Sequence, residues 1–117
     1  MIRLVIVDDH ELVRAGIRGG LLDDFDVVGE AADVAQAVAV IRATRPDVVL
    51  LDVHLPGGNA QEVLRQCHGG SKFLALSVSD AAEDVIGVVR LGARGYVTKD
   101  ITALAVADAI RQVDAGE

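Results

Sequence analysis

The chain contains five short segments in which apolar residues follow one another with few interruptions. They lie at residues 2–7, 26–30, 48–51, 73–77 and 95–97, and they are rich in Val, Ile, Leu and Phe. A strand with one buried face alternates apolar and polar residues, whereas a strand covered on both faces is apolar almost throughout. The five segments therefore predict the strands of a parallel sheet with helices on both sides.

The stretches between these segments are long enough for crossover helices, and they carry apolar residues at helical spacing. We predict helices over residues 10–22, 33–43 and 60–66, a fourth that starts at Ser79 and ends before Gly92, and a fifth from Ala103 towards Gly116. Five alternating strand and helix units predict a doubly wound α/β fold, a three-layer sandwich around a five-stranded parallel sheet.

Size and charge restrict the classes of function. The 117 residues are enough for one domain of this kind, and 11 Lys and Arg against 18 Asp and Glu give a net charge of −7, which disfavours direct binding to nucleic acid. The single cysteine cannot form an internal disulfide. We find neither a signal peptide nor an apolar stretch of the ~20 residues that a membrane helix needs, and therefore expect a cytoplasmic protein without membrane contact.

Polar residues follow the predicted strands at the edge where a doubly wound sheet has its functional crevice. They are Asp8 and Asp9 after the first strand, Asp52 after the third, Ser77 at the end of the fourth, and Lys99 beyond the fifth. Neighbouring carboxylates repel each other unless a cation lies between them, and oxygen ligands without His or Cys suit Mg²⁺. Mg²⁺ and a lysine ammonium together could neutralise a phosphoryl group.

Each of these residues also has an ordinary structural interpretation. Asp8 and Asp9 could cap the following helix, and Ser77 could belong to a turn. A solvated loop acid is a poorer description of Asp52, because it follows a strand that we expect to be central and buried.

Other polar residues attract structural interpretations first. His10 could lie near the acidic residues, but a polar residue at the start of a helix is the simpler interpretation. Cys67 and His68 have no further residues at zinc-site spacing, so we interpret them as part of a loop. Gly87 could soften the fourth helix, at a cost of about 1 kcal/mol relative to alanine, or it could have no role.

The order and spacing of these motifs resemble the receiver domain of two-component response regulators. The matching segments are, in chain order, IVDDH, DVVLLDVHLPGGN, LALSVSD and GARGYVTKD, and the resemblance covers residues 2–116. The Asp-Asp-His triplet, the VVGEAAD segment and the Lys-Asp pair resemble the NarL/FixJ, or LuxR-type, branch. The resemblance implies a flavodoxin-like, CheY-like fold.

The resemblance also implies a role for each residue at the strand ends. Asp52 would accept a phosphoryl group from the phosphohistidine of a sensor histidine kinase. Asp8 and Asp9 would hold Mg²⁺ together with Asp52 and the backbone carbonyl of His54. Lys99 would pair with the phosphoryl group.

A second set of residues would report or time the phosphorylation. Ser77 would move towards the phosphoryl group, and Tyr96 would rotate into the vacated space and change the surface of the fourth helix, fifth strand and fifth helix. Alternatively, Tyr96 is an aromatic residue of an edge strand, packed over Ala and Val. His54 and Ser79 would tune the lifetime of the phosphoryl group. Ala60 stands where the family usually has Gly, and a left-handed backbone there would be strained.

The resemblance implies a phosphorylation-dependent switch that forms homodimers and controls transcription. We expect residues 1–117 to be the receiver domain, with DNA binding confined to a helix-turn-helix domain outside them. The only chemistry expected is phosphorylation and dephosphorylation of Asp52 itself. Two alternatives are a module that switches by partner binding without phosphorylation, and a small phosphatase or nucleotide-binding enzyme. The sequence contains neither a P-loop nor a Gly-x-Gly-x-x-Gly motif, which counts against the enzyme.

Overall fold

Strands and helices alternate along the chain. The computed structural model describes residues 1–21, 24–55, 60–67, 69–77, 82–98 and 103–116. The strands in these ranges are β1 (Ile2–Val7), β2 (Phe25–Ala31), β3 (Val48–Asp52), β4 (Lys72–Ser77) and β5 (Gly95–Thr98). The helices are α1 (Glu11–Leu21), α2 (Val34–Thr44), α3 (Ala60–Gln66), α4 (Ala82–Arg90) and α5 (Ala103–Asp114). None of the described helices combines the length and the apolar composition needed to cross a membrane.

These elements confirm the predicted fold, and most boundaries agree with the prediction to within one or two residues. The exception is the start of the fourth helix, because Ser79 lies outside the described residues. The five strands are parallel and lie in the order β2-β1-β3-β4-β5. The chain therefore places β2 on one side of β1 and then returns to place β3 on the other side. A crevice forms where the strand order reverses, beyond the carboxyl ends of β1 and β3.

Each face of the sheet has its own apolar core. Along β1, Val5 and Val7 belong to one buried cluster, while Leu4 and Ile6 belong to the other. The first cluster includes residues of α2, α3 and α4, and the second includes residues of α5, with Ile17 of α1 packed against it. Because successive side chains of a strand point to opposite faces, this division explains why the strands are apolar almost throughout.

The ends of α2 follow from residues that flank it. Asp33 caps its start by accepting a 2.8 Å hydrogen bond from the Gln36 amide. Arg45 ends it in the left-handed region at φ 47°, with its amide donating to the Ile41 carbonyl. Arg45 is the one non-glycine residue with positive φ in the described part of the chain. Ala60 is the first residue of α3 and does not have a positive φ. The strained left-handed backbone considered for this alanine therefore does not occur.

Two glycines allow close approach between elements. The register of β2 shifts beside Leu4 and Val5, and Gly29 follows this irregularity. A Cβ on Gly29 would overlap Cγ2 of Val40 in α2, and a Cβ on Gly87 would overlap the amide of Gln61 in α3. The Gln61 amide is the end of a flexible side chain that can move aside, so this contact does not by itself require glycine at position 87.

We predict opposite effects for two glycine-to-alanine substitutions. Gly29→Ala should lower the free energy of unfolding by about 1 to 3 kcal/mol, because the new methyl group forces Val40 away from the sheet. Gly16→Ala, in the exposed middle of α1 where a Cβ meets no atom within 4 Å, should raise it by about 0.5 to 1 kcal/mol. Urea unfolding measures both values. A neutral Gly29→Ala variant would contradict the close approach.

Candidate functional site

Three carboxylates converge at the edge of the sheet predicted from the sequence. Asp8 directly follows β1 and Asp52 ends β3, and these strands are adjacent, with Val7 paired to Leu51. Ligand atoms of Asp8, Asp9, His10 and Asp52 all lie within 4.8 Å of one another. Asp8 and Asp52 are fully buried, whereas Asp9 is partly exposed. We call these four residues the acidic cluster.

The backbone turns after β1 and β3 orient the two buried carboxylates in the same way. Oδ1 of Asp8 accepts a 2.8 Å hydrogen bond from the His10 amide, and Oδ1 of Asp52 accepts a 3.0 Å hydrogen bond from the His54 amide. An aspartate that accepts from the amide two residues ahead stabilises a turn at the end of a strand. The same bond restricts the carboxylate to a narrow range of rotamers.

His10 belongs to the acidic cluster, which the sequence analysis did not expect. Its carbonyl accepts a hydrogen bond from the Arg14 amide, so it does lie at the start of α1 as predicted. However, its Nδ1 atom is 3.1 Å from Oδ1 of Asp8 and 3.0 Å from Oδ1 of Asp9. The sequence signal for this contact was the position of His10 directly after Asp8 and Asp9. In the structure, the turn folds its ring back over their carboxylates.

Of the other predicted site residues, two lie in the described part of the chain and two lie outside it. Ser77 is buried at the end of β4, one position beyond Leu76, the partner of Asp52. Tyr96 lies in the edge strand β5, where it pairs with Ala75, and 58% of its surface is exposed. Lys99 and Ser79 lie outside the described residues.

Arg14 supports the acidic cluster and was missed in the sequence. Its Nη1 atom donates a 2.6 Å hydrogen bond to the carbonyl of Asp8, and its Nε atom lies 3.5 Å from Oε1 of Glu30 in β2. Arg18, one helical turn later, contacts Oε2 of the same carboxylate at 2.6 Å. These contacts tie α1 to β2 and to the turn that carries the acidic cluster. The four-residue spacing of the two arginines was the only sequence signal.

The charge of the cluster favours a divalent cation. Two of its three carboxylates are without solvent contact, so water screens their repulsion poorly. Carboxylate oxygens are the ligands that Mg²⁺ prefers, and Mg²⁺ is commonly held by one or two of them together with water and phosphate oxygens. The three carboxylates therefore fit this cation. The imidazole of His10 lies within the same cluster.

Cys67 lies far from this chemistry in the fold. It follows α3 and belongs to the core on the α2 and α3 side of the sheet. Burial raises the pKa of its thiol, although the positive charge of Arg42 opposes the increase. The structural interpretation of this residue therefore holds, while His68 lies outside the described residues.

Comparisons with known proteins agree on one family. The family model for the response regulator receiver domain matches residues 4–111. The DNA-binding transcriptional activator DevR/DosR of Mycobacterium tuberculosis is 41% identical over 121 aligned positions, which cover 99% of this chain and 56% of that protein. The nitrate/nitrite response regulator NarL of Escherichia coli is 34% identical over 97% of this chain and 55% of its own length. The chain thus spans about half the length of these relatives.

Solved structures show the same similarity along the whole chain. A signal receiver domain from Mycobacterium tuberculosis, assigned to the response regulator NarL, superimposes with a TM-score of 0.91 at 34% identity and covers 99% of this chain and 98% of that one. A LuxR-family two-component response regulator from Aurantimonas has a TM-score of 0.88 at 34% identity, with coverage of 100% and 87%.

We predict that Arg14 and Arg18 differ in their contribution to stability. Arg14→Ala removes a charged donor from the Asp8 carbonyl at a side chain that is only 18% exposed, and should cost about 1.5 to 3 kcal/mol. Arg18→Ala breaks a pair in which the arginine is 45% exposed, and should cost less than about 1 kcal/mol. Urea unfolding of both variants provides the comparison. Equal losses would contradict a specific role for the contact with Asp8.

Proposed function

The chain belongs to the response regulator receiver domain family, of the NarL and LuxR type, and we propose that it is a switch controlled by phosphorylation of Asp52. The observation that carries this proposal is the acidic cluster, in which Asp52 ends a wholly buried strand and lies beside a second buried carboxylate. Such a concentration of negative charge costs stability, and cation-assisted phosphoryl transfer gives it a use.

The position of Asp52 in the sheet supports its role as the acceptor. Strand β3 lies between β1 and β4, so Asp52 has Asp8 on one side and Ser77 on the other. A phosphoryl group on Asp52 would therefore lie between a cation site and a hydroxyl donor. In the transfer, a carboxylate oxygen of Asp52 forms a bond to phosphorus while the bond from phosphorus to the kinase imidazole breaks. The imidazole leaves with the electron pair of that bond.

The remaining residues of the site would stabilise the charge of the phosphoryl group. Asp8, Asp9 and Asp52, with the backbone carbonyl of His54, would hold Mg²⁺. When bound, Mg²⁺ neutralises negative charge on the phosphoryl oxygens and on the carboxylates. The hydroxyl of Ser77 would donate a hydrogen bond to a phosphoryl oxygen, and the ammonium group of Lys99 would pair with another.

The output of the switch would be a change in surface. After Ser77 moves towards the phosphoryl group, Tyr96 would rotate inwards from its exposed position. Large apolar side chains are exposed on α4 and α5 beside this strand, among them Ile86, Val89 and Leu104. Exposed large apolar side chains on these elements support a homodimer formed through α4, β5 and α5.

The relatives suggest the context in which the switch acts. DevR/DosR is described as a DNA-binding transcriptional activator, and this chain covers 56% of it. We infer a cytoplasmic two-component system in which a sensor histidine kinase phosphorylates Asp52, and a helix-turn-helix domain outside residues 1–117 binds DNA. His54 and Ser79 would set how long the phosphoryl group persists. Apart from phosphorylation and dephosphorylation of its own Asp52, the domain would catalyse no reaction.

We predict that acetyl phosphate and Mg²⁺ add one phosphoryl group to the wild-type chain, and none to Asp52→Asn, because the amide is not a nucleophile. The matched control is Asp47→Asn, which makes the same change to an exposed residue just before the opposite end of β3. It should be phosphorylated like the wild type. Intact-mass spectrometry reads all three samples. An unmodified wild type would instead favour the module that switches without phosphorylation, and continuous hydrolysis of small phosphoesters would favour an enzyme.

We also predict that Mg²⁺ stabilises the folded chain by relieving the repulsion within the acidic cluster. At a concentration about 100 times the dissociation constant, the gain should be about 2.7 kcal/mol, and Tm should rise by several degrees. Asp9→Ala should abolish this rise but remain folded, because Asp9 is partly exposed. Asp47→Asn should keep the rise. Thermal unfolding at constant ionic strength measures the effect, and a Tm that is indifferent to millimolar Mg²⁺ would contradict the cation site.

A further inference from the structure

We propose that a groove at the end of the sheet opposite to the acidic cluster binds an organic phosphate, that is, a phosphate ester with an apolar or planar body. The groove has a volume of about 670 Å³ and lies where α2 and α3 end, and we call it the basic groove. Among the residues that line it are Arg42, Arg45 and the loop 69–71. Asp47, which also lines it, directly precedes β3, whereas Asp52 ends that strand. The inference therefore does not depend on the proposed function.

The buried residues of the basic groove provide an apolar surface for the body of the ligand. Ile41, Pro46 and Cys67 line the groove and are buried. Burial also raises the pKa of the Cys67 thiol, so the thiol adds an uncharged surface and not a thiolate that would repel an anion. Ligand sites commonly have volumes of roughly 300 to 1,000 Å³ and combine apolar surface with a few polar groups. The basic groove falls in this range and has both kinds of surface.

Two guanidinium groups of the basic groove retain hydrogen-bond donors for an anion. Arg42 and Arg45 line the groove and are both exposed. Arg42 donates a 3.2 Å hydrogen bond from Nη2 to the Gln66 carbonyl, and the side chain of Arg45 forms no hydrogen bond or ion pair with the described residues. A guanidinium group carries five N–H donors in a planar fork that matches the oxygens of a phosphate. Most of the donors of these two side chains are therefore available.

The loop 69–71 offers backbone donors in the same groove. The hydroxyl of Ser71 donates a 2.7 Å hydrogen bond to the Pro46 carbonyl, which holds the loop against the chain that follows α2. Gly69 has a φ of 111°, a conformation that favours glycine. The amides of residues 69–71 donate to no acceptor within the described part of the chain. Successive backbone amides of this kind bind phosphate, and glycine lets a phosphate approach the backbone closely.

The charge of the basic groove favours an anion although the whole chain is acidic. The chain has a net charge of −7, whereas the two arginines of the groove are accompanied by one carboxylate, that of Asp47, among the described residues that line it. Oδ2 of Asp47 accepts a 2.8 Å hydrogen bond from the Arg3 amide. Nη1 of Arg3 donates to the Arg45 carbonyl at 3.1 Å, so a third guanidinium group lies beside the groove. The local excess of positive charge complements a phosphate, and Asp47 weakens that attraction.

The test measures ADP binding by isothermal titration calorimetry, in EDTA and at constant ionic strength. EDTA removes Mg²⁺, without which the acidic cluster repels the phosphates of ADP. Arg42→Gln and Arg45→Gln should each weaken ADP binding about tenfold or more, because each removes a charged donor to phosphate. Asp47→Asn should strengthen ADP binding about two- to fivefold, since the change removes a negative charge but keeps an oxygen acceptor for the Arg3 amide.

Arg65→Gln is the matched control for the arginine variants. Arg65 lies in the last turn of α3, pairs with Glu62 and does not line the groove, so its substitution makes the same change in net charge elsewhere on the surface. It should bind ADP like the wild type, and a loss equal to that of Arg45→Gln would overturn the inference, because overall charge would then explain the binding. All four substituted residues are exposed, and the gain expected for Asp47→Asn cannot result from misfolding.

Pyrophosphate tests whether the body of the ligand contributes. It carries phosphate charge as ADP does but has no planar base, so we expect it to bind at least about fivefold more weakly than ADP. Equal affinities of ADP and pyrophosphate would contradict a role for the apolar surface. Unchanged ADP affinity in the arginine variants, or no binding of millimolar ADP to the wild type, would overturn the inference as a whole.

Phosphorylation of Asp52 by acetyl phosphate, measured on the same samples with Mg²⁺ restored, separates this inference from the proposed function. Arg45→Gln should be phosphorylated like the wild type, because the basic groove lies at the opposite end of β3 from Asp52. If the wild type binds ADP as described but is not phosphorylated, only the proposed function fails. If it is phosphorylated but does not bind ADP, only this inference fails.

Discussion

The structure depends on one electrostatic constraint, the placement of two fully buried carboxylates at the ends of adjacent parallel strands. Asp8 and Asp52 lie close together because β1 and β3 are neighbours at the point where the strand order reverses, and both side chains are buried. Two unit charges about 5 Å apart repel by roughly 3 kcal/mol at an effective dielectric constant of about 20. This is a large fraction of the roughly 5 to 15 kcal/mol that stabilises a typical domain. In the proposed function this charge is needed for phosphoryl transfer, and a bound cation would remove much of the cost.

The rest of the fold can tolerate this cost because the sheet beneath the cluster is well buried. Every residue of β3 is buried, and separate apolar cores cover the two faces of the sheet. Polar contacts then stabilise the turn after β1. Arg14 donates to the Asp8 carbonyl, and the ring of His10 lies against the carboxylates of Asp8 and Asp9, so donating groups lie beside the negative charge on the side of α1. The scaffold thus holds the carboxylates close together in spite of their mutual repulsion.

Most of the fold could be predicted because its signals are local or periodic. Continuous apolar runs identified the strands, and the order of the elements identified the edge at which Asp52 and Asp8 meet. Contacts that depend on the angle between elements could not be predicted. Gly29 resembles an ordinary strand breaker in the sequence, and only the packing of α2 on β2 shows that it makes room for Val40. The place of His10 depends on how the turn folds back, which its helix-start position does not reveal.

The exposed ring of Tyr96 bears on how much free energy the proposed switch requires. Ser77 and Tyr96 lie on the same side of the sheet, since Tyr96 pairs with Ala75 and Ala75 is two residues from Ser77. With 58% of its surface exposed, Tyr96 would gain about 1 to 2 kcal/mol by burying its ring. If the proposed switch has a buried position for this ring beside Ser77, that position would have to cost at least as much while the hydroxyl remains in place. In the proposed switch, phosphorylation would have only to remove that obstruction, and one new hydrogen bond to the hydroxyl of Ser77 would be enough to change which state predominates.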